Sequence, residues 1–208
     1  RDLHLSIRRQ RQMCIRDSFY YHDNLEALRR EGARLKFFSP VADKKIPICD
    51  LIYIGGGFPE VLGQSLERNR TMRNLIKKYA EDGMPIYAEC GGLMYLTKSI
   101  DFGNKKYKMV GLFDAETQMT KKMTLNYTEG RITSNCLIST PRKFRAHEFH
   151  YSKIRSLPRD AKLIYELKVG EGISGRRDAL SEYNTLASYC HLYFDSAKYA
   201  SRLIGKKI

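Results

Sequence analysis

The chain has 208 residues with 42% hydrophobic and 29% charged side chains, which is enough for one ordinary domain with a real core and excludes a disordered chain. No apolar run approaches the roughly 20 residues that span a bilayer and no signal peptide is visible, so no membrane partner is expected. The formal net charge of +14 is spread along the chain without a recognition motif; nucleic acid is therefore not expected, and a small polyanion or an acidic partner accounts for the charge equally well.

The first eighteen residues, RDLHLSIRRQRQMCIRDS, are Arg-rich, lack a clear period, and carry no cap or turn signal leading into a strand. The change of character at Ser18 marks 1–18 as atypical, either a solvated basic tail or sequence foreign to the fold, and places the domain at 19–208. From Phe19 the pattern becomes regular. Asp23 is expected to cap a helix through about Arg30, with Leu25 and Leu28 inward and Gly32 closing it. ARLKFFS (33–39) and DLIYIGGG (50–57) predict strands, the second running into three glycines. NRTMRNLIKKYAEDG (69–83) has Met72, Leu75, Ile76 and Tyr79 at helical spacing, with Gly83 as its stop. PIYA (85–88) predicts a buried strand, followed by Cys90, Gly91, Gly92 and a second helix. Alternating helices and strands with short links point to an α/β fold with a mainly parallel sheet. Between about 103 and 180 the runs KYKMVGLF, LNYTEGRIT, CLIST, AHEFHYSKI and AKLIYELKV predict additional antiparallel strands on or beside that sheet. NTLASY (184–189) is a last strand, and a helix is expected from about Asp195 to Ile204.

Three of these segments should meet at the C-terminal edge of a parallel sheet, where open α/β folds place ligands: Gly55-Gly56-Gly57, Cys90, and Cys190-His191. A cysteine on a sharp strand-to-helix turn, with Gly91 and Gly92 permitting close backbone approach, has the nucleophile-elbow arrangement carried by sulfur. A thiol must ionise to attack, and His191 at a strand end is placed to favour that. The N–H groups of Gly91 and of one loop glycine, Gly57, are candidates to hold a developing oxyanion. The chemistry implied is acyl transfer through a thioester.

Five cysteines (Cys14, Cys49, Cys90, Cys136, Cys190) are odd in number and contain no Cys-x-x-Cys pair. That argues against a disulfide framework or structural zinc and for a reducing cytoplasm. HEFHYS (147–152) is not the HExxH pattern, and residues three apart in a strand point to opposite faces, so no metal is expected. No GxxxxGK[ST] phosphate loop occurs anywhere.

The segments FYYHDNLEALRREGARLKFFSP, IYIGGGFPEVL, LERNRTMRNLI, PIYAECGGLMYL, HEFHYS and LASYCHLYF occur in one order over about residues 19–200. Together they resemble the C-terminal glutamine amidotransferase domain of the cobyrinate a,c-diamide synthase family. The resemblance implies a three-layer α/β domain related to class I amidotransferases. In that family the cysteine hydrolyses glutamine, and ammonia passes to an ATP-binding domain that activates carboxylates of a corrin or related tetrapyrrole. By position the nucleophile falls on Cys90, its activating histidine on His191, and the glycine loop on Gly55, Gly56 and Gly57. The class I glutamate two residues after the histidine falls on Tyr193, so a Cys–His dyad is expected, with Glu148 a candidate to orient His191. The ATP-binding domain, with its ATP and Mg, is not in this chain, so no cofactor is expected on it. The partners implied are glutamine, an ATP-binding synthase domain or subunit, and an acidic tetrapyrrole. An amidotransferase subunit serving another acceptor, such as lipid II, is the alternative enzyme, although HEFHYS and ASYCHLYF favour the first. A non-catalytic α/β binding module is the other alternative, and Cys90 with its elbow glycines argues against it.

Overall fold

The computed structural model of the chain describes residues 4–6, 20–138, 142–194 and 198–205. In chain order the first half holds β1 (His4–Ser6), α1 (His22–Arg30), β2 (Arg34–Lys36), β3 (Leu51–Ile54), α2 (Gly63–Arg68), α3 (Arg70–Glu81), β4 (Ile86–Glu89) and α4 (Gly91–Leu96). The second half holds β5 (Ser99–Phe102), β6 (Lys105–Lys108), β7 (Glu116–Ile132), β8 (Arg142–Arg155), β9 (Leu163–Val169), β10 (Arg177–Glu182), β11 (Thr185–Ser188), β12 (Cys190–Leu192) and α5 (Tyr199–Leu203).

One sheet runs β12-β8-β7-β9-β10-β11-β4-β3-β1-β2, with the β5–β6 hairpin branching from β7. The strands β11, β4, β3, β1 and β2 are parallel neighbours. The middle of the chain continues this sheet antiparallel through β10, β9, β7, β8 and β12. Alternation along the parallel strands builds two cores. Ile52, Ile54, Ile86 and Ala88 face one layer with Leu66, Met72, Ile76 and Leu93 from α2, α3 and α4. Leu51, Tyr53 and Tyr87 face the other with Leu28, Tyr199 and Leu203 from α1 and α5. This is the three-layer arrangement that the family resemblance implied, on the α/β frame expected from the alternating pattern.

Several local expectations need correction. Asp23 does not cap α1; Tyr21 is the N-cap and Asp23 sits inside the first turn, where its charge favours the helix dipole. His4–Ser6 pairs parallel with β2 and β3 where no strand was expected, in a segment with only one apolar residue to signal it. CLIST forms no strand among its described residues, which hold a bridge at Cys136 and a turn. Residues 195–197 of the last predicted helix lie outside the described residues, and α5 covers only Tyr199–Leu203. The strands β10 and β12 and the helix α2 were not foreseen. NTLASYCHL looks like one apolar run, but the chain breaks at Tyr189. There the buried Asp178 carboxylate accepts from the N–H groups of Tyr189 (3.1 Å) and Cys190 (2.9 Å). This turn swings β12 away from β11 and onto β8.

Asn69 joins the loop between β2 and β3 to the first turn of α3. Its amide donates to the carbonyls of Pro40 (2.7 Å) and Asp43 (2.8 Å), and its side-chain oxygen accepts from Lys44 Nζ (2.9 Å) and faces the N–H of Met72. Removing a cap costs about 1 kcal/mol, and leaving the half-buried Pro40 and Asp43 carbonyls without their donor costs ~1–3 kcal/mol more. Asn69→Ala should therefore lower unfolding stability by about 2–4 kcal/mol in urea titration, and a loss under about 0.5 kcal/mol would show that water replaces these bonds.

Candidate active site

Cys90 is the N-cap of α4 and adopts φ 47°, ψ −102°, a conformation L residues rarely take. The strain is held by the backbone on both sides. Cys90 N–H donates to the Ser188 carbonyl at 2.7 Å, and its own carbonyl accepts from Met94 N–H at 3.0 Å. The following glycines allow the close packing that fixes the turn. A Cβ on Gly91 would stand 2.6 Å from the Gly57 carbonyl oxygen, and one on Gly92 would stand 2.4 Å from that of Ile54. The turn is thus keyed to the end of β3.

The sulfur donates to the Phe149 carbonyl at 3.4 Å and borders a cavity of about 330 Å³. Gly57 and His191 line the same cavity, together with Tyr21, Phe58, Met94, Phe149 and a single carboxylate, Glu60. Its size is at the lower end for small-molecule sites, and the few polar groups sit in an apolar wall. The three segments expected at the sheet edge therefore do converge. Within the glycine loop the roles separate. Gly55 donates its N–H to Tyr20 Oη (3.0 Å) and lies under that ring, which a Cβ would meet at 2.5 Å. Gly56 is buried and does not line the cavity, so Gly57, at φ +148°, is the loop glycine that faces it.

His191 is positioned through its strand. Register places it opposite His147 on β8. Asn24 of α1, fully buried, donates to the Leu192 carbonyl and accepts from Phe194 N–H, both at 2.8 Å. The imidazole Nδ1 lies 3.5 Å from Glu89 Oε2. Burial alone would push the His191 imidazole toward neutrality, but its hydrogen bonds to Cys90 and Glu89 outweigh that, and its pKa rises to about 10. The surroundings of His191 therefore favour a proton on its ring next to Cys90. His147, whose ring lies 6.2 Å from that of His191, is pushed the other way by burial and by the His191 charge.

Glu89, the residue before the cysteine, was not foreseen. It is fully buried, and its carboxylate accepts from Tyr53 Oη (2.8 Å), Tyr87 Oη (2.7 Å) and Leu192 N–H (3.2 Å). A signal was present: an acidic residue ending an apolar strand must be paired if the strand is central. The candidate for the orienting role, Glu148, does not reach His191. Register sets it opposite Cys190, and its oxygens accept from His150 Nε2 (3.0 Å), Asn126 Nδ2 (3.2 Å) and the N–H groups of Glu171 (3.0 Å) and Gly172 (2.7 Å). HEFHYS alternates faces as expected: Glu148, His150 and Ser152 are buried on one side, with His150 stacked on Tyr189 at 3.7 Å, while His147 stacks on Phe149 on the other, and both histidines still border the cavity. Among the described residues no three His, Cys, Asp or Glu side chains converge as a metal site.

The geometry makes a specific claim about His191 that titration can check. Because its folded pKa is raised above 6.5, the stabilisation from this pair is complete below about pH 6.5 and is lost as pH rises through about 10. Glu89→Gln removes the carboxylate that favours the imidazolium and should move the His191 NMR titration downward by about 1–3 units. An unmoved titration would show that Cys90 alone raises it.

Residues 14–199 match the CobB/CobQ-like glutamine amidotransferase domain. A cobyrinate a,c-diamide synthase of Methanosarcina barkeri is 43% identical over 85% of this chain and 38% of its own length. One of Archaeoglobus fulgidus is 41% identical over 93% of this chain and 43% of its own. The chain thus spans about two fifths of the curated relatives it matches. A solved structure of PurLQS from Thermotoga maritima superposes with TM-score 0.70 at 16% identity, covering 97% of this chain and 95% of that one. A glutamine amidotransferase from Thermotoga maritima gives 0.59 at 14% identity, covering 91% and 75%. These two show the same fold. By its match over most of its length, the chain belongs to the CobB/CobQ-like glutamine amidotransferase domain family.

Proposed function

We propose that this chain hydrolyses glutamine at Cys90 and supplies the ammonia to an ATP-dependent step that amidates side-chain carboxylates of a corrin or related tetrapyrrole. The observation that carries the first half is the convergence of Cys90, in its strained conformation, with the His191–Glu89 pair and Gly57 on one small cavity. The second half is supported by the cobyrinate a,c-diamide synthases among its relatives. A cytoplasmic location belongs to the same proposal. Two features of the chain accord with it: Cys90 and Cys190 are free thiols, and no helix among the described residues is long and apolar enough to cross a membrane.

In this reading the substrate amide enters against Cys90. His191 takes the proton of the Cys90 thiol, the thiolate so formed attacks the amide carbon, and the oxyanion is held by the N–H groups of Gly91 and Gly57. His191 gives its proton to the leaving nitrogen, ammonia departs, and a thioester remains. The neutral imidazole then takes a proton from water, whose attack releases glutamate and returns the proton to the site. Glu89 touches no substrate; it holds the ring with one nitrogen turned to the sulfur and favours the cationic form. Glu60, as the carboxylate of the cavity wall, is suited to the substrate's α-ammonium group. ATP and its Mg find no fit here: the sequence has no phosphate loop, and the described residues offer no cluster of carboxylates. No step of this chain passes through them.

In the complete enzyme that contains this chain, Cys90→Ala should abolish glutamine-supported amidation and spare amidation supported by ammonium chloride, since only the thioester step uses the thiol. Equal loss of both would make Cys90 structural. His191→Ala should lower glutamine turnover about 10²–10⁴-fold, measured as glutamate released, and a near-normal rate would move the base elsewhere.

A further inference from the structure

The strands β7 and β8 carry an apolar row on an open face beside the cavity. Alternation along β7 buries Thr124 and Thr128 and turns Met123, Leu125 and Tyr127 outward, at 44%, 55% and 86% exposure. Leu125 stands opposite Phe149, and Tyr127 opposite His147. Tyr151 Oη donates to Met123 Sδ at 3.2 Å. Phe149, His147 and Tyr151 line the cavity wall, so the outer row is continuous with the place where Cys90 is reached. Single exposed apolar side chains are ordinary, but a row in cross-strand register on the solvent face of an antiparallel pair is not.

The reaction proposed above constrains what lies over this row. Ammonia that escapes to water becomes ammonium, which has no lone pair with which to attack an activated carboxylate. The group that consumes it must therefore cover the mouth of the cavity. The relatives devote more than half of their length to sequence outside this chain, whose matches cover 38% and 43% of them. Interfaces that are kept permanently are more apolar than ordinary surface.

Resting on the ammonia-transfer reading, we propose that the face formed by Met123, Leu125, Tyr127, Phe149 and Tyr151 is the docking surface for the ATP-binding, acceptor-activating part of the enzyme. Its apolar row seals the rim of the cavity and joins the two reaction centres.

The test uses the complete enzyme with Leu125→Asp and, separately, Tyr127→Asp. Ile48→Asp is the control, at a residue 87% exposed and away from the cavity. Three rates are read: glutamine hydrolysis without acceptor, amidation with ammonium chloride, and amidation with glutamine. Buried anchors of an interface are expected to cost at least about tenfold when charged. Glutamine-supported amidation should fall by about that factor in both variants, with the other two rates within about twofold and the control unchanged. If Leu125→Asp fails to fold, Tyr127→Asp decides, since its side chain contributes least to the core. Intact hydrolysis with undiminished coupling in Tyr127→Asp overturns the docking surface. So does loss of a dimer without loss of coupling, which would assign the face to a second copy. Absence of any Cys90-dependent hydrolysis in the unsubstituted enzyme would instead overturn the functional reading, and this inference with it.

Discussion

A buried carboxylate governs this structure. Glu89 ends the central strand β4 with no exposure to solvent, and a charge in that position costs several kcal/mol unless it is paired and hydrogen-bonded. Its partners come from three strands: Tyr53 of β3, Tyr87 of β4, and Leu192 with His191 of β12. Burial and the Glu89 charge hold both tyrosines protonated, so they remain donors. The strand β12 ends the hydrogen-bonded path of the sheet, yet the Leu192 N–H and the His191 ring both reach back to the C-terminal end of β4. The curl of the sheet and the charge state of His191 therefore share one cause.

The Cys90 turn depends on a second constraint, which is steric. The Cys90 turn is strained, and strain of that kind persists only where the surroundings over-determine it. Here Gly91 and Gly92 let backbone meet backbone at distances no side chain would permit. The same contact brings Gly57 to the cavity, so the position of this proposed oxyanion donor follows from the packing that holds the thiol. Gly55 is committed differently, to Tyr20, which locks the start of the domain over β3. A run of three glycines thus contains one that packs and one that faces the cavity, and identity alone cannot distinguish them.

What was legible in the sequence follows from the range of the interactions. Helices and strands with strong local period, such as α3 and β3, were readable because a single face of each meets a core. Cys90 and its glycines were readable because a strand-to-helix turn is local. The break at Tyr189 was not, because the group that makes it, Asp178, lies eleven residues earlier and acts by satisfying two N–H groups after the chain has folded. Glu89 was passed over for a similar reason. Two of its hydrogen-bond partners, Tyr53 and Leu192, lie 36 and 103 residues away, and next to a cysteine it resembles any strand-ending acid.

Chemistry separates Glu148, the candidate that the sequence offered to orient His191, from Glu89, which pairs with it. The structure contains two buried carboxylate–imidazole pairs near the cavity, Glu148–His150 and Glu89–His191. In the first, both ring nitrogens are engaged, Nε2 with Glu148 and Nδ1 with the Ser152 carbonyl at 2.9 Å, and the ring is stacked on Tyr189. Glu148 also gathers the N–H groups of Glu171 and Gly172, so the pair ties a loop to β8 and has no nitrogen to offer. In the second, the carboxylate occupies one side of the ring, and the imidazole still reaches the Cys90 thiol. Composition makes the two pairs equivalent. What separates the two pairs is whether a ring nitrogen remains after the fold has taken its share, and of the two His191 meets that condition, beside the cysteine proposed as nucleophile.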